Sequence, residues 1–186
     1  MRTTRLLATA TLLVTSSAMA SDFGVSLAED SMRGVFNYAV SSQPINFGLG
    51  YTHHDGSRNM ADLSLHATGQ TALLNMPTTV GIGGMIMGFD DEDTDTNGGG
   101  VGFGGFVRMN IPKVPGLGFN AAAHYAPTIT SFGDADGMTN FETSLSYRVI
   151  KNAEVSAGYR FYETDFDPSG ELTLDEGGFL GMRLFF

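Results

Sequence analysis

The chain contains no cysteine among its 186 residues. No disulfide can therefore stabilise it, even in a compartment that would allow one. Beyond its first twenty residues, it also has no apolar run near the ~20 residues that a membrane-spanning helix needs. Basic residues are scarce, because 10 Lys and Arg stand against 20 Asp and Glu, for a formal net charge of −10. Binding to nucleic-acid phosphates requires clustered Lys and Arg, so this balance excludes nucleic acid as a partner.

The first twenty residues have the features of a secretory signal peptide. Arg2 and Arg5 give a basic start, a short apolar run follows, and the small residues Ala18 and Ala20 stand at the −3 and −1 positions. This order is typical of a cleavable export signal, and its apolar run is too short to span a membrane. We expect cleavage after Ala20, which leaves residues 21–186 as one domain.

Alternation of apolar and polar residues predicts ten β-strands in the mature chain. Successive side chains of a strand point to opposite faces, so alternation gives one apolar and one polar face. The predicted strands cover residues 23–28, 32–40, 45–54, 61–68, 78–89, 101–111, 117–125, 141–149, 154–161 and 176–186. Most are close to the ~9–11 residues with which a tilted strand crosses a bilayer, and an even number is typical of bacterial barrels. Eight strands remain an alternative if the short link at Asp30 and Ser31 is not a hairpin.

The strand predicted over residues 78–89 is irregular. Val80 and Ile82 share one parity, whereas the apolar residues after them, Met85, Met87 and Phe89, share the other. A β-bulge at Gly83-Gly84 would bring both sets to the same face, because an inserted residue switches the faces. We therefore expect a bulge there.

The last strand ends the chain on an aromatic residue. Leu180, Met182, Leu184 and Phe186 share one face, and Arg183 lies on the other. This ending resembles the closing strand of bacterial outer-membrane β-barrels, which the barrel-assembly machinery reads. Only helices and closed sheets can span lipid, because an unpaired backbone group there costs several kcal/mol. The sequence therefore predicts an all-β fold, an antiparallel transmembrane β-barrel in the outer membrane of a Gram-negative bacterium, with Phe186 presented to the assembly machinery.

Loop composition predicts how the barrel is oriented. Connections after every second strand carry the only lysines, Lys113 and Lys151; they cover residues 41–44, 69–77, 112–116 and 150–152. The remaining connections hold three acidic clusters and are mostly longer. Outer-membrane barrels have short periplasmic turns and longer outer loops. We expect both termini in the periplasm, with the acidic loops outside, next to lipopolysaccharide.

In layout and length the mature chain resembles the YfaZ family of small proteobacterial outer-membrane proteins. The resemblance rests on DFGVSLAEDSMRG at the start, the NFGLGY strand, the glycine-rich middle strands and the closing GGFLGMRLFF. It implies a β-barrel fold in the outer membrane. It implies no particular activity, because no diagnostic catalytic motif is shared.

The predicted lumen carries charges of both signs. The inward positions hold Asp62, His66, Arg108, Asn120, His124, Glu142, Arg148, Glu154, Arg160 and Arg183. Interleaved acids and arginines can pair into a rigid network that fills the interior, since buried charges need partners or water. A narrow water-filled pore is the alternative, because ten strands enclose more room than eight and the glycines leave space. The sequence leaves both interpretations open.

We expect no enzymatic activity. His53 and His54 lie at the outer end of the third strand, but adjacent strand residues point to opposite faces and cannot share a site. No nucleophile signature accompanies them.

One acidic segment matches the spacing of a calcium-binding loop. In D-x-D-x-S-G-x5-E, the candidate ligands are Asp165, Asp167, Ser169, Glu171 and Glu176. Calcium prefers several hard oxygen ligands, and Gly170 would allow the sharp turn. Against a true EF-hand, the flanks are predicted strands and Pro168 is unusual there. The function predicted overall is a structural or narrow-channel barrel; the alternative is a surface protein that binds divalent cations or lipopolysaccharide through its acidic loops.

Overall fold

The computed structural model describes residues 21–166 and 170–186, which form one antiparallel sheet of eleven strands. The elements are β1 (Asp22–Leu27), β2 (Ser31–Ala39), β3 (Ile45–His54), β4 (Arg58–Leu73), β5 (Met76–Asp91), β6 (Thr96–Asn110), β7 (Leu117–Ala126), a short 3₁₀ turn (Thr128–Thr130), β8 (Ser131–Gly133), β9 (Gly137–Ile150), β10 (Ala153–Phe166) and β11 (Gly170–Phe185). The predicted signal peptide, residues 1–20, lies outside the described residues.

The sheet closes into a barrel. Its strand order is β5-β4-β3-β2-β1-β11-β10-β9-β7-β6, and β5 pairs with β6 to complete the ring. The eleventh strand, β8, is an accessory that pairs only with the start of β6 at Gly98–Gly100. Ten strands therefore form the closed wall, as the sequence predicts, and the eight-strand alternative is excluded. Closure leaves no long strand with an unpaired edge, which is the condition for a sheet to span lipid.

The outside of the wall is apolar and the inside polar. On β3, Leu49 and Tyr51 are more than half exposed, whereas Asn46 and Thr52, which point to the other face of the same strand, are buried. The exposed set includes Phe23, Leu27, Met32, Phe47, Leu63, Leu65, Ile82, Ile86, Val101, Phe103, Tyr125, Phe141, Leu145, Tyr147, Val155, Tyr159, Leu180, Met182 and Leu184. A continuous apolar belt of this size is incompatible with water and fits the hydrocarbon of a membrane. None of the helical segments within the described ranges could cross a bilayer.

The two ends of the barrel differ. We call the end with Ser21, Phe186 and the turns at 74–75 and 151–152 the terminal end. The opposite end, with the connections at 28–30, 55–57, 92–95 and 127–136, is the acidic end. At the terminal end, the Phe186 N–H donates to the Ser21 carbonyl at 3.0 Å, and the ring of Phe186 stacks on Phe36 at 6.3 Å. Phe186 thus adds a backbone hydrogen bond and a ring contact at the place where β11 meets β1.

The expected bulge in β5 is wrong. Pairing with β4 and β6 runs without interruption from Thr78 to Asp91. Ile82 and Ile86 face outward, whereas Met85, Met87 and Phe89 are buried inside the barrel. The prediction failed because it assumed that every apolar side chain faces lipid; here the interior is apolar over part of its length.

The lengths of the connections also differ from the prediction. β4 runs to Leu73 and β5 begins at Met76, so the expected loop at 69–77 is a two-residue turn at Leu74 and Asn75. Both turn residues have positive φ, 52° and 61°, the geometry that tight hairpins prefer. At the acidic end the hairpins extend as strands rather than as loops, so many of the predicted loop acids are strand residues.

Candidate functional site: the barrel lumen

A polar cavity of about 120 Å³ lies inside the barrel. It has room for several water molecules, since one needs only ~10–15 Å³ of such space. The polar groups around it are Arg33, Asn37, Asn46, Asp62, Ser64, His66, Arg108, Asn120, His124, Asn140, Glu142, Ser144, Tyr162 and Arg183. Every wall strand except β1 and β5 contributes at least one of these groups.

Ion pairs between strands hold part of the lining. Arg33 of β2 pairs with Asp62 of β4 at 2.7 Å, and both side chains are almost fully buried. Between them on β3 stands Gly50, where a Cβ would lie within 2.4 Å of both the Arg33 and Asp62 side chains. Glycine therefore leaves the space through which a pair separated by one strand can meet. Nearer the terminal end, Arg183 approaches Asp22 at 3.4 Å.

A second buried pair joins β10 to β11. Arg160 lies 2.5 Å from Asp175, and neither side chain is accessible beyond 2 %. Arg160 also donates to the hydroxyls of Ser26 and Ser31, each at 2.8 Å, and Ser31 donates to Asp175. This network ties the β1–β2 hairpin to β10 and β11 across the β1–β11 seam.

Two charged groups on the cavity have no ionic partner within the described ranges. Arg108 of β6 stacks over the ring of Phe106 at 4.9 Å, and Glu142 projects from β9. Among the described residues, the ion pairs of the lumen involve other side chains. The cavity therefore keeps one cation and one anion available to water or a solute.

A histidine pair crosses the interior. His66 pairs in register with Gly83, Gly83 with Gly104, and Gly104 with His124, so the two histidines are separated by two glycines. Their Nε2 atoms nevertheless lie 2.8 Å apart. The edge of the Phe106 ring meets His66 with a centroid distance of 5.2 Å.

An apolar cluster fills the lumen towards the acidic end. Its members are Met60, Met85, Met87, Phe89, Ala126, Ala135, Met138, Tyr162 and Leu174, with Phe166 and Leu172 packed against them. They come from β4, β5, β7, β9, β10, β11 and the connection after β7. Leu174 is inaccessible and Met87 and Met138 are 3 % accessible. The cluster separates the polar cavity from the acidic end.

A closed ten-strand barrel with these features can be compared with known proteins. The family model described as "YfaZ precursor" matches residues 1–186. The chain belongs to the YfaZ family. No curated protein matches the sequence.

The YfaZ chain also has similarities to solved structures. The outer membrane channel DcaP of Acinetobacter baumannii aligns at TM-score 0.42 and 8 % identity, over 88 % of this chain and 54 % of its own. A bacterial polysaccharide outer membrane secretin aligns at 0.44 and 9 %, over 84 % and 56 %. The KdgM porin aligns at 0.44 and 9 %, over 90 % and 99 %. The chain thus spans about half the length of the first two, and similarity this distant carries no argument about function.

The predicted lumen residues of the YfaZ barrel differ in how far their side chains are exposed. Asp62, His66, His124 and Arg160 are buried. Arg108, Glu142, Glu154 and Arg183 are partly exposed on the inner face. Arg148 is nearly half exposed at the terminal end, 3.7 Å from Glu154, and lies over the ring of Phe185.

Four further charged lumen residues were missed from the sequence: Asp22, Arg33, Asp91 and Asp175. All are at most 5 % accessible. Strand parity alone would have placed Arg33 inside, because its neighbours Met32 and Gly34 face outward. Asp91 and Asp175 fall in stretches that the sequence predicts to be surface loops, whereas β5 and β11 extend beyond the membrane and make them inward strand positions.

The acidic end of the YfaZ barrel is capped by an ion pair. Arg58 donates to Asp91 at 2.9 Å and to the carbonyls of Thr173 and Leu174 across the mouth. Its neighbour Asp90 is exposed on the outer face, which places this level outside the hydrocarbon. Burial opposes ionisation of Asp91, but the hydrogen bond and charge of Arg58 outweigh it and lower its pKa.

The predicted calcium ligands are only partly brought together. Asp167 and Ser169 lie outside the described residues. Glu171 stands opposite Asp165, whereas Glu176 stands opposite Phe161, roughly 17 Å further along β11 at strand spacing. Glu176 instead accepts a hydrogen bond from the Tyr159 hydroxyl. The carboxylates of Glu163, Asp165 and Glu171 do converge, within 4.8 Å of one another.

His53 and His54 occupy opposite faces, as predicted. His53 contacts the Asn59 side chain at 2.9 Å, and His54 contacts the Asp55 carbonyl at 2.6 Å. The two rings therefore do not form one site.

Proposed function

We propose that this YfaZ-family barrel is a narrow outer-membrane channel that is closed in its resting state. The observation that carries the proposal is the division of the lumen into a polar cavity and an apolar cluster. A purely structural barrel needs neither the cavity nor the unneutralised Arg108 and Glu142 beside it. An apolar constriction blocks ions because water leaves it readily, and it opens when its side chains move or become hydrated. Methionine, with three rotatable bonds, is suited to such rearrangement.

The same proposal includes the orientation and partners of the barrel. We place the acidic end outside, against lipopolysaccharide, because the longest connection, 127–136, lies there, whereas the terminal-end connections at 40–44, 74–75, 111–116 and 151–152 are all shorter. Phe186, half exposed beside Phe36, is the residue offered to the assembly machinery.

Planar-bilayer recordings test the closed channel. Met87→Ser and Met138→Ser put a hydroxyl into the apolar cluster and should hydrate it, so discrete openings should become frequent while the wild type opens rarely. Met32→Ser is the matched control, since Met32 is 51 % exposed on the outer face; it should behave like the wild type. If both cluster variants fold and stay as silent as the wild type, the barrel is structural.

We propose no enzymatic role. This is supported by the separation of His53 from His54, which contact different residues on opposite faces of β3. Hydrolysis of lipid A or of peptides by the refolded protein, abolished by His54→Ala, would contradict it.

Association of divalent cations with the acidic end is a second candidate function, favoured by Glu163, Asp165 and Glu171. Burial, followed by the charges of Glu171 and Asp165, raises the pKa of Glu163, which lies on β10 four residues beyond the membrane-facing Tyr159. Crowded carboxylates repel one another, and a hard cation such as calcium relieves that repulsion.

Titration calorimetry with calcium tests this second candidate on the refolded barrel. Glu171→Gln should weaken binding, whereas the control Glu29→Gln, an exposed acid in another hairpin, should not. Glu176→Gln should have little effect, because Glu176 lies away from the cluster. No heat of binding, or equal heats in all variants, would exclude a specific site there.

A further inference from the structure

The contact between His66 and His124 depends on sharp curvature of the wall. Their strands, β4 and β7, are three strand spacings apart, or about 14 Å in a flat sheet. The glycines between them lie unusually close to neighbouring backbone: a Cβ at Gly83 would fall 1.9 Å from the Leu65 carbonyl oxygen, and one at Gly104 2.0 Å from that of Ala123. Such close approach marks a tight bend of the sheet, which turns the two imidazoles towards each other.

The geometry of the pair is that of a direct hydrogen bond. The ring centroids are 5.1 Å apart. This is close to the largest separation that a 2.8 Å Nε2–Nε2 contact permits, so the two nitrogens point at each other. A shared metal ion would instead require both lone pairs to converge on a point beside the line that joins the nitrogens. One ring therefore donates an N–H and the other accepts it.

Such a bond exists only while at least one Nε2 lacks a proton. When both rings are charged, each Nε2 carries a hydrogen, and two donors of equal charge meet at a distance that suits one proton. The pair must then separate. The other charged and titratable groups that share the cavity are Arg33 from β2, Asp62 from β4, Arg108 from β6, Glu142 from β9, Tyr162 from β10 and Arg183 from β11.

We propose that the His66–His124 hydrogen bond is a proton-controlled latch across the bend of β4–β7, closed at neutral pH and broken when both rings are protonated. The inference rests on the proposed closed channel, for which it supplies a regulatory signal. Met85 of the apolar cluster and both histidines line the same cavity. Separation of the rings hydrates the boundary between the cavity and the apolar cluster, which favours opening.

Thermal unfolding of the refolded barrel at pH 7.5 and pH 5.0 tests the latch without reference to conduction. Loss of the bond on acidification means that the unfolded chain binds more protons than the folded one, so stability falls as pH falls. The wild type should lose about 2–4 °C more in Tm than His66→Gln, which cannot titrate. His53→Gln, a change on the outer face, is the control and should follow the wild type. Identical pH profiles for all three proteins overturn the latch.

NMR chemical shifts of the imidazole nitrogens, followed across a pH titration of the wild type, give a second measurement that needs no variant. The latch predicts that His66 and His124 titrate as a coupled pair; independent titration of these two rings overturns it. Zinc that raises the Tm of the wild type but not of His66→Gln would replace the latch by a metal site. If the Tm of the wild type depends on pH as expected but neither the wild type nor Met87→Ser conducts, the latch is supported and the proposed channel is excluded.

Discussion

Arg160 shows why a charge can be retained deep in a barrel wall. Its guanidinium is inaccessible, yet it pairs with Asp175 and donates to the hydroxyls of Ser26 and Ser31. Removing one partner of such a pair leaves the other charge buried, which typically costs ~3–5 kcal/mol. We expect Asp175→Asn to lower the free energy of unfolding by about that amount in urea titrations of the refolded barrel. Arg148→Gln breaks a pair that is half exposed and should cost no more than ~1 kcal/mol. Equal effects of the two changes would contradict this account.

The Asp91–Arg58 pair should make the acidic end sensitive to acid. Because the folded-state pKa of Asp91 is lowered, its contribution to stability is present above the ordinary Asp pKa and lost as pH falls through the folded value. Wild type should therefore unfold at a higher temperature than Asp91→Asn at pH 6, and the difference should shrink as the pH falls below the ordinary pKa of an Asp carboxyl. Asp90→Asn, on the exposed face, serves as the control and should show no such convergence. A constant gap between wild type and Asp91→Asn would mean that packing, not charge, sets the effect.

Single residues also explain what the sequence could not predict about the site. Asp62, His66, His124 and Arg160 were placed inside by strand parity, and they are inside. The meeting of His66 with His124 could not be predicted, because it depends on the curvature of four strands rather than on spacing along one. The pairing of Arg33 with Asp62 likewise needs the space above Gly50, which appears only when β3 is seen between β2 and β4.

At the scale of the strand, two glycines of β5 and β6 permit a close approach of the backbone that composition alone does not predict. Gly83 and Gly104 allow the backbone contacts at the bend. Gly83→Ala should force the β4–β5 ladder apart and destabilise the barrel by ~1–3 kcal/mol, the usual cost of overpacking. Gly34→Ala is matched in chemistry but has open space around its Cβ, and it should be neutral or stabilising. Urea unfolding of the two variants distinguishes them; a neutral Gly83→Ala would show that the wall adapts.

The strands themselves were largely predictable because lipid imposes a simple rule on their outer face. From Phe47 to Tyr51 of β3 and from Leu180 to Leu184 of β11, every second residue is apolar and exposed, and the predicted alternation agrees with the structure. The rule failed in β5, where Met85, Met87 and Phe89 pack on other side chains inside the barrel. It also failed beyond the membrane, where hairpins such as β10–β11 continue as strands through residues that resemble an acidic loop. Alternation distinguishes the outer face of a strand from the inner face only where the outer face contacts lipid and the inner face contacts water or polar groups.

The whole molecule is a closed wall whose interior holds a polar cavity and, towards the acidic end, an apolar cluster accompanied by buried charged pairs. Ten strands close without a free edge, charged pairs join strands across the inside of the wall, and the apolar cluster lies on the side of the acidic end. Because the two halves of the interior differ, the orientation of the barrel decides which of them faces the periplasm. With the acidic end outside, the barrier faces the surroundings of the cell and the polar cavity faces the periplasm.

Orientation can be tested directly because the chain has no cysteine. Thr94→Cys puts a single thiol in the exposed turn of the acidic end, and Asn152→Cys puts one in a turn of the terminal end. In intact cells, a thiol reagent that cannot cross the outer membrane should label Thr94→Cys and leave Asn152→Cys unmodified. After permeabilisation both should react, which controls for folding and access. The reverse pattern would place the polar cavity on the outer side and the apolar cluster towards the periplasm, and failure of both positions to react in intact cells would contradict surface exposure of the acidic end.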